Sequence, residues 1–260
     1  MMKLPTSSSW MSLYKPKTQA YLRLFCFPYA GGGASIFRDW AASLPASVEV
    51  CPIQLPGRES RIQERPFNRV TALVSALSSV LQPYLDKPFA FWGHSMGALI
   101  AFELARQLRR ENKPGPLHLL VSGHRAPQLP DSVPPIHQLP EREFVRELRL
   151  LNGTPETVLQ HAELMQLMMP ILRADFALVE TYTYTVEAPL DCSISAFGGL
   201  QDERVGNNDL KAWQEQTRQD FSLRLFPGDH FYLHSHRSQL FLAMSQELRR
   251  ILTWIPHFHM

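Results

Sequence analysis

Apolar residues along this chain gather into six short runs, separated by stretches with a different rhythm. The runs are YLRLFCFP (21–28), VEVCPIQL (48–55), PFAFWG (88–93), LHLLVSG (117–123), CSISAFG (192–198) and SLRLFPG (222–228), each of strand length and strand composition. Between them, SIFRDWAASL, VTALVSALSSVLQPYL, MGALIAFELARQLRRE and LKAWQEQT carry the apolar spacing of helices, and SQLFLAMSQELRRILTW predicts a closing helix. Strand and helix alternating in this way predict an α/β fold, with a mostly parallel central sheet covered by helices on both faces.

One segment breaks the alternation. Residues 125–185 contain no strand pattern; a proline-rich entry, APQLPDSVPPIHQLP, leads into EREFVRELRLLNG and then PETVLQHAELMQLMMPILRADFALVETYTY. This predicts a helical insertion between the fourth and fifth strands, either a self-packed subdomain or a lid. Met165, Met168 and Met169 cluster in it, and methionine-rich surfaces adapt to apolar ligands of varied shape, so these three are candidate substrate contacts.

The 260 residues, 45% hydrophobic and 19% charged, suffice for one core: a single domain over 20–260 after a flexible segment, 1–19. A net charge of +2 gives no electrostatic case for nucleic acid or an anionic membrane. The first residues have no apolar core of a secretory signal, and no apolar run approaches the roughly 18 residues of a membrane span. Cys26, Cys51 and Cys192 are far apart in strand-like runs and read as buried thiols of a reducing compartment, the cytoplasm. A monomer is the default expectation.

The chemistry begins at Gly93-His94-Ser95-Met96-Gly97, a G-x-S-x-G placed between an apolar strand and a helix. A serine hydroxyl is a weak nucleophile and must be exposed beside a base. A sharp strand-to-helix turn lifts it above the sheet edge, and side chains at 93 and 97 would collide there. On this fold the acid and base follow in the order Ser, Asp, His. Asp202 stands just past the fifth strand and His230 just past the sixth, at the sheet edge reached by Ser95. His230 is the expected base and Asp202 its orienting carboxylate; Asp229 and Glu203 are rivals for the latter role. Asp191 precedes its strand and belongs to the opposite edge. His94 reads as a packed or hydrogen-bonded elbow residue rather than the base, and His257 and His259 as solvated. His230, His234 and His236 lack the glutamate that a zinc-binding histidine pair would need, so no metal is expected. The backbone N–H of Met96 is one expected oxyanion donor. Ala30, in the glycine-rich loop CFPYAGGGAS, is the other, with Tyr29 or Gly31 as alternatives; Tyr29 and Gly31 are also candidate substrate contacts. That loop lacks the lysine and Ser/Thr of a phosphate-cradling motif.

From about Tyr21 to Trp254 the chain resembles the stand-alone type II thioesterases that accompany non-ribosomal peptide and polyketide synthases. The likeness rests on LFCFPYAGGGASIFRDW, QLPGRESR, FWGHSMGALIAFELARQL, SGHRAP, LRADFALVETYTY, GGLQDERV and GDHFYL, in that order. It implies the α/β-hydrolase fold, a Ser95–His230–Asp202 triad and a mobile helical lid over an acyl pocket. The implied activity is hydrolysis of acyl thioesters from the phosphopantetheine arm of carrier proteins, removing misprimed or stalled chains, with no cofactor of the enzyme's own. Tyr29 departs from the histidine of many relatives. Arg58, Arg61 and Arg65 are candidates to meet an acidic carrier protein, against a solvated loop paired to Glu59 and Glu64. The competing readings are a carboxylesterase or lipase, an acyltransferase, and a non-catalytic binding module.

Overall fold

The computed structural model describes residues 7–131 and 133–255, which leaves His257, His259 and the first six residues of the expected flexible segment outside the description. Each of the six apolar runs forms a strand: β1 (Leu22–Phe27), β2 (Val48–Pro52), β3 (Phe89–His94), β4 (His118–Ser122), β5 (Ser193–Gly199) and β6 (Phe221–Phe226). They make one sheet in the order β2-β1-β3-β4-β5-β6, with every neighbouring pair parallel.

Alternation along each strand divides the core into two layers. Phe25, Phe27, Phe89, Phe91, Leu119 and Val121 face one side, under the helices Val70–Leu81 and Met96–Arg110. Leu22, Leu24, Cys26, Ala90, Trp92 and Leu120 face the other, where Trp40 and the closing helix Arg237–Thr253 cover them. Because both faces are covered, β1, β3 and β4 are buried at every position, which explains their largely apolar composition. The three cysteines are buried and free.

Three local expectations need correction. The stretch SIFRDWAASL is not one helix; it splits into a 3-10 turn, Ala34–Phe37, and a single α-turn, Trp40–Ser43. LKAWQEQT likewise divides between Asn207–Lys211 and a 3-10 segment, Ala212–Gln216. Segments this short have little helical stability of their own, so packing decides their form. Trp40, for example, lies 5.1 Å edge-on to Phe241 and 5.4 Å from Trp92.

The third correction concerns the segment expected to be flexible over residues 1–19. Trp10 and Met11 are buried, and the Arg61 guanidinium sits 4.1 Å over the Trp10 ring. Further on, the Tyr14 hydroxyl donates to Glu49 at 2.9 Å and the Lys17 N–H at 2.6 Å. Glu49 also accepts from Arg23, its register partner on β1, at 2.7 Å. Composition alone suggested fraying; a buried carboxylate in need of hydrogen bonds ties the segment down instead.

Between β4 and β5 the chain forms the expected helical insertion, with helices Glu141–Leu151, Glu156–Leu159 and Ala162–Glu180. Its buried apolar residues, among them Phe144, Leu148, Met165 and Leu172, form a separate cluster.

Candidate active site

The strand order reverses between β1 and β3, which are hydrogen-bonded neighbours although β2 lies between them in sequence. In open α/β sheets a crevice forms at such a reversal, beyond the carboxyl ends of the strands. The loop after β1 carries Tyr29 and Ala30, and the turn after β3 carries Ser95, so register alone brings them together.

Ser95 sits at φ 53°, ψ −120°, a conformation that side chains rarely adopt. Its N–H donates to the Ser122 carbonyl at 2.7 Å, which fixes the turn against β4. The two glycines are required by contact. A Cβ at Gly93 would lie 2.1 Å from the Gly97 carbonyl oxygen, and one at Gly97 would lie 2.2 Å from that of Phe27. The elbow is therefore wedged between β1 and its own helix.

Asp202 and His230 meet beyond β5 and β6. His230 Nδ1 lies 2.7 Å from Asp202 Oδ2, and the carboxylate side chain is fully buried. The other oxygen, Oδ1, accepts from the N–H groups of Arg204 at 3.0 Å and Val205 at 3.2 Å. A carboxylate so anchored holds one ring nitrogen of the imidazole and leaves Nε2 as the working end. The rival carboxylates are elsewhere: Asp229 accepts from the Phe231 N–H and from Asn152, and Glu203 is exposed. Among the described residues the Ser95 hydroxyl has no hydrogen-bond partner, but Ser95 and His230 line one cavity.

Room for His230 to lean toward β3 is left by Gly123, at the end of β4, with φ +56°. A Cβ there would fall 2.6 Å from His94 Cε1 and 3.3 Å from His230 Cε1. The two imidazole rings are 5.0 Å apart. His94 Nδ1 is 2.8 Å from the Ser122 hydroxyl, which in turn is 2.5 Å from that of Tyr232. Burial pushes the His94 imidazole far below the usual histidine range, with the neighbouring His230 adding to the effect. His94 is thus a neutral packing residue of the elbow, as its position suggested.

The cavity has a volume of about 320 Å³. Tyr29, Ala30, Ser95, Met96 and His230 line it from the sheet, and Leu148, Leu151, Leu172, Phe176 and Val179 from the insertion. Met165, Met168 and Met169 do not line it; they pack in the insertion's own cluster with Phe144 and Leu159. Leucine and phenylalanine on the inward helix faces take the place expected for the methionines, because helix phase decides which apolar residues point inward. Tyr29 stays at the wall, its hydroxyl 3.0 Å from His234 Nε2 and its pKa raised by burial. Gly31 is not a wall residue, and its N–H is taken by the Asp175 carboxylate at 2.8 Å, so it is no candidate donor. Gly32 N–H closes a turn onto the Tyr29 carbonyl at 2.9 Å. Among the described residues the N–H groups of Ala30 and Met96 donate to no protein acceptor.

The arginines of QLPGRESR also differ from expectation. Arg58 is buried and makes a two-pronged pair with Asp175, and Arg61 is buried against Trp10 and Glu64. Neither presents a cation to a partner; only Arg65 of the three is exposed. Sequence reasoning passed over Asp175 and Gly123. A carboxylate inside the apolar run ILRADFALV was the available signal for the first.

A six-stranded parallel sheet with this elbow and a histidine–aspartate pair at its carboxyl edge defines an α/β-hydrolase. A model of the thioesterase domain matches residues 22–248, and the chain belongs to that family. It is 47% identical to the gramicidin S biosynthesis protein GrsT of Aneurinibacillus migulanus, covering 94% of this chain and 96% of that protein. Thioesterase PikA5 of Streptomyces venezuelae is 38% identical over 93% of this chain and 86% of its own length. Among solved structures, the type II thioesterase BorB from the borrelidin biosynthetic cluster superposes with a TM-score of 0.82 at 36% identity, covering 91% of this chain and 98% of that one. The protein is a serine-hydrolase thioesterase.

Proposed function

We propose that this thioesterase hydrolyses acyl groups from the phosphopantetheine arms of carrier proteins that serve a non-ribosomal peptide or polyketide synthase. Ser95 is the nucleophile, His230 the base, Asp202 the orienting carboxylate, and the N–H groups of Met96 and Ala30 the oxyanion donors. The observation that carries the reading is the 2.7 Å His230–Asp202 pair on the cavity that Ser95, Met96 and Ala30 also line. The two unpaired N–H groups on that wall, beside two that are engaged, support the oxyanion assignment.

Ser95 Oγ attacks the thioester carbonyl carbon as its proton passes to His230 Nε2, and the oxyanion develops toward Met96 and Ala30. Collapse breaks the C–S bond; the pantetheine sulfur leaves and takes the proton from His230. Water then attacks the acyl-Ser95 ester, with His230 again as base, releasing the carboxylic acid and the free serine. A thiolate is a better leaving group than an alkoxide, so the acid step makes a modest demand and oxyanion stabilisation a larger one.

The helical insertion acts as a lid: its leucines and Phe176 give the acyl chain an apolar wall, and its movement admits the pantetheine arm. Removal of misprimed or stalled chains follows from hydrolysing whatever small acyl group the cavity holds. Burial of all three free thiols accords with a cytoplasmic enzyme.

The test is hydrolysis of acetyl- and longer acyl-carrier proteins beside a p-nitrophenyl ester and an acyl-CoA, with Ser95→Ala as control. Faster, Ser95-dependent release from the carrier is expected. Good turnover of the free ester with the carrier untouched would make the protein an esterase. Transfer to an added alcohol or amine in place of water would make it an acyltransferase.

A further inference from the structure

The turn that carries Ala30 is held by two charges outside the triad. Gly31 stands third in the turn Tyr29–Gly32 at φ +77°, where a type II turn needs a positive φ. Its N–H donates to Asp175 Oδ2 at 2.8 Å. Arg58 donates to the same carboxylate twice, Nη1 to Oδ2 at 2.7 Å and Nη2 to Oδ1 at 2.7 Å. Arg58 Nη1 also reaches the Gly32 carbonyl at 3.1 Å. The N–H on one side of the turn and the C=O on the other are thus fixed to one ion pair.

The pair joins three separate segments. Asp175 belongs to the insertion helix Ala162–Glu180, Arg58 follows β2, and the turn follows β1. Both side chains are buried, at 5% and 2% exposure, so losing one charge leaves the other buried without its partner. One helical turn before Asp175, Leu172 closes on the same loop; a Cβ at Gly31 would sit 2.7 Å from Leu172 Cδ2. Glycine at 31 therefore meets two demands, the positive φ and the close approach of the insertion.

We propose that Arg58 and Asp175 are positioning residues for the oxyanion hole, through which its geometry depends on the seating of the insertion helix. The proposal rests on the Ala30 N–H being an oxyanion donor, as assigned above. With the helix seated, the carboxylate fixes the Gly31 peptide and, through the turn, the direction of the Ala30 N–H. With the helix displaced, Gly31 loses its acceptor, Arg58 loses its counter-charge, and the Ala30 N–H loses its aim. Oxyanion stabilisation is then available only while the insertion covers the acyl group.

The experiment uses the full chain, the double variant Arg58→Met/Asp175→Leu, Asp175→Asn and Arg58→Lys, each assayed where circular dichroism shows it folded. The double variant removes both charges together, so no lone charge is left buried. Expected is a fall in kcat of at least about tenfold with KM for the acyl-carrier changed by less than about threefold, the scale on which a misdirected donor acts. Affinity for an alkylboronic acid, whose adduct on Ser95 places a charged oxygen in the hole, should fall in parallel with kcat. Asp175→Asn, which keeps an acceptor for Gly31, should retain more of both than the double variant. Wild-type kcat in the folded double variant would overturn the proposal, and so would a loss of kcat with boronate affinity unchanged. If the double variant does not fold, Arg58→Lys decides by the same two readings. Failure of the functional reading is a separate result: it shows in the wild-type chain and Ser95→Ala, before any variant of the pair is compared.

Discussion

The Asp202 carboxylate reaches His230 Nδ1 at 2.7 Å across 28 residues of chain, while Asp229, next to His230 in sequence, turns to the Phe231 N–H and Asn152. Adjacency in the chain thus loses to convergence of loops at the sheet edge. Asp202→Asn should lower kcat by about four orders of magnitude, because an amide stabilises the wrong tautomer. Asp229→Asn should stay within about threefold of wild type. Steady-state kinetics on one thioester, with circular dichroism for the fold, checks both. Near-normal turnover in Asp202→Asn would remove it from the triad.

Gly123→Ala tests the space shared by the two imidazoles. The new Cβ would meet His94 at 2.6 Å and His230 at 3.3 Å, on a backbone at φ +56°. The His94 ring must then move, and His230, whose ring lies 5.0 Å from it, must give way as well. Turnover should fall by about a hundredfold or more, the size expected of a displaced catalytic group. Thermal melting beside kcat separates misplacement from unfolding. A variant that melts like wild type and turns over like wild type would show that this contact does not set the imidazole.

Trp10→Ala should destabilise the protein by about 3–5 kcal/mol, as for a large aromatic removed from a core. The ring is 2% exposed and lies under Arg61. A urea titration reads the loss directly. A change below about 1 kcal/mol, the range of surface substitutions, would mean that the segment is loosely held.

Acid should weaken the fold before it reaches ordinary carboxylates. Burial pushes His118 down to about 4 and His124 down to about 4, and drives His94 well below its usual value. Each folded pKa lies below the unfolded value of about 6.5, so the unfolded chain binds protons first. The stability these groups allow is complete above about pH 6.5 and is lost as pH falls toward 4. At about 1.4 kcal/mol per unit, His118 alone withdraws on the order of 3 kcal/mol by pH 4. Its ring is 2.8 Å from the Ser195 hydroxyl, a contact that His118→Gln can keep without titrating. Melting temperature against pH between 4 and 7 should be shallower in that variant, and an unchanged slope would clear His118 of the effect.

The six strands, their parallel character, the elbow glycines, and the places of Asp202 and His230 just past the fifth and sixth strands are legible in the amino-acid sequence. All of these are written in local pattern: a mostly apolar run reports burial on both faces, and a glycine on either side of the elbow serine reports a contact with no room for Cβ. Composition misjudged residues 10–17, because the partners that hold them, Arg61 over Trp10 and Glu49 for Tyr14 and Lys17, are distant in sequence and meet them only in the folded chain. It misjudged the methionines for a different reason. Apolar periodicity marks a buried face but does not say which buried face lines a cavity, and Leu172 and Phe176 hold that place rather than Met168 or Met169. The pairing of Arg58 with Asp175 was beyond reach, although the carboxylate in ILRADFALV was a signal by itself. A charge in a polar loop and a charge in a helical run each read as solvated, and only their meeting across 117 residues, buried beneath the Ala30 turn, makes them partners. Local periodicity is fixed by backbone geometry that every residue shares, whereas a buried charge exists only where the fold brings its counter-charge.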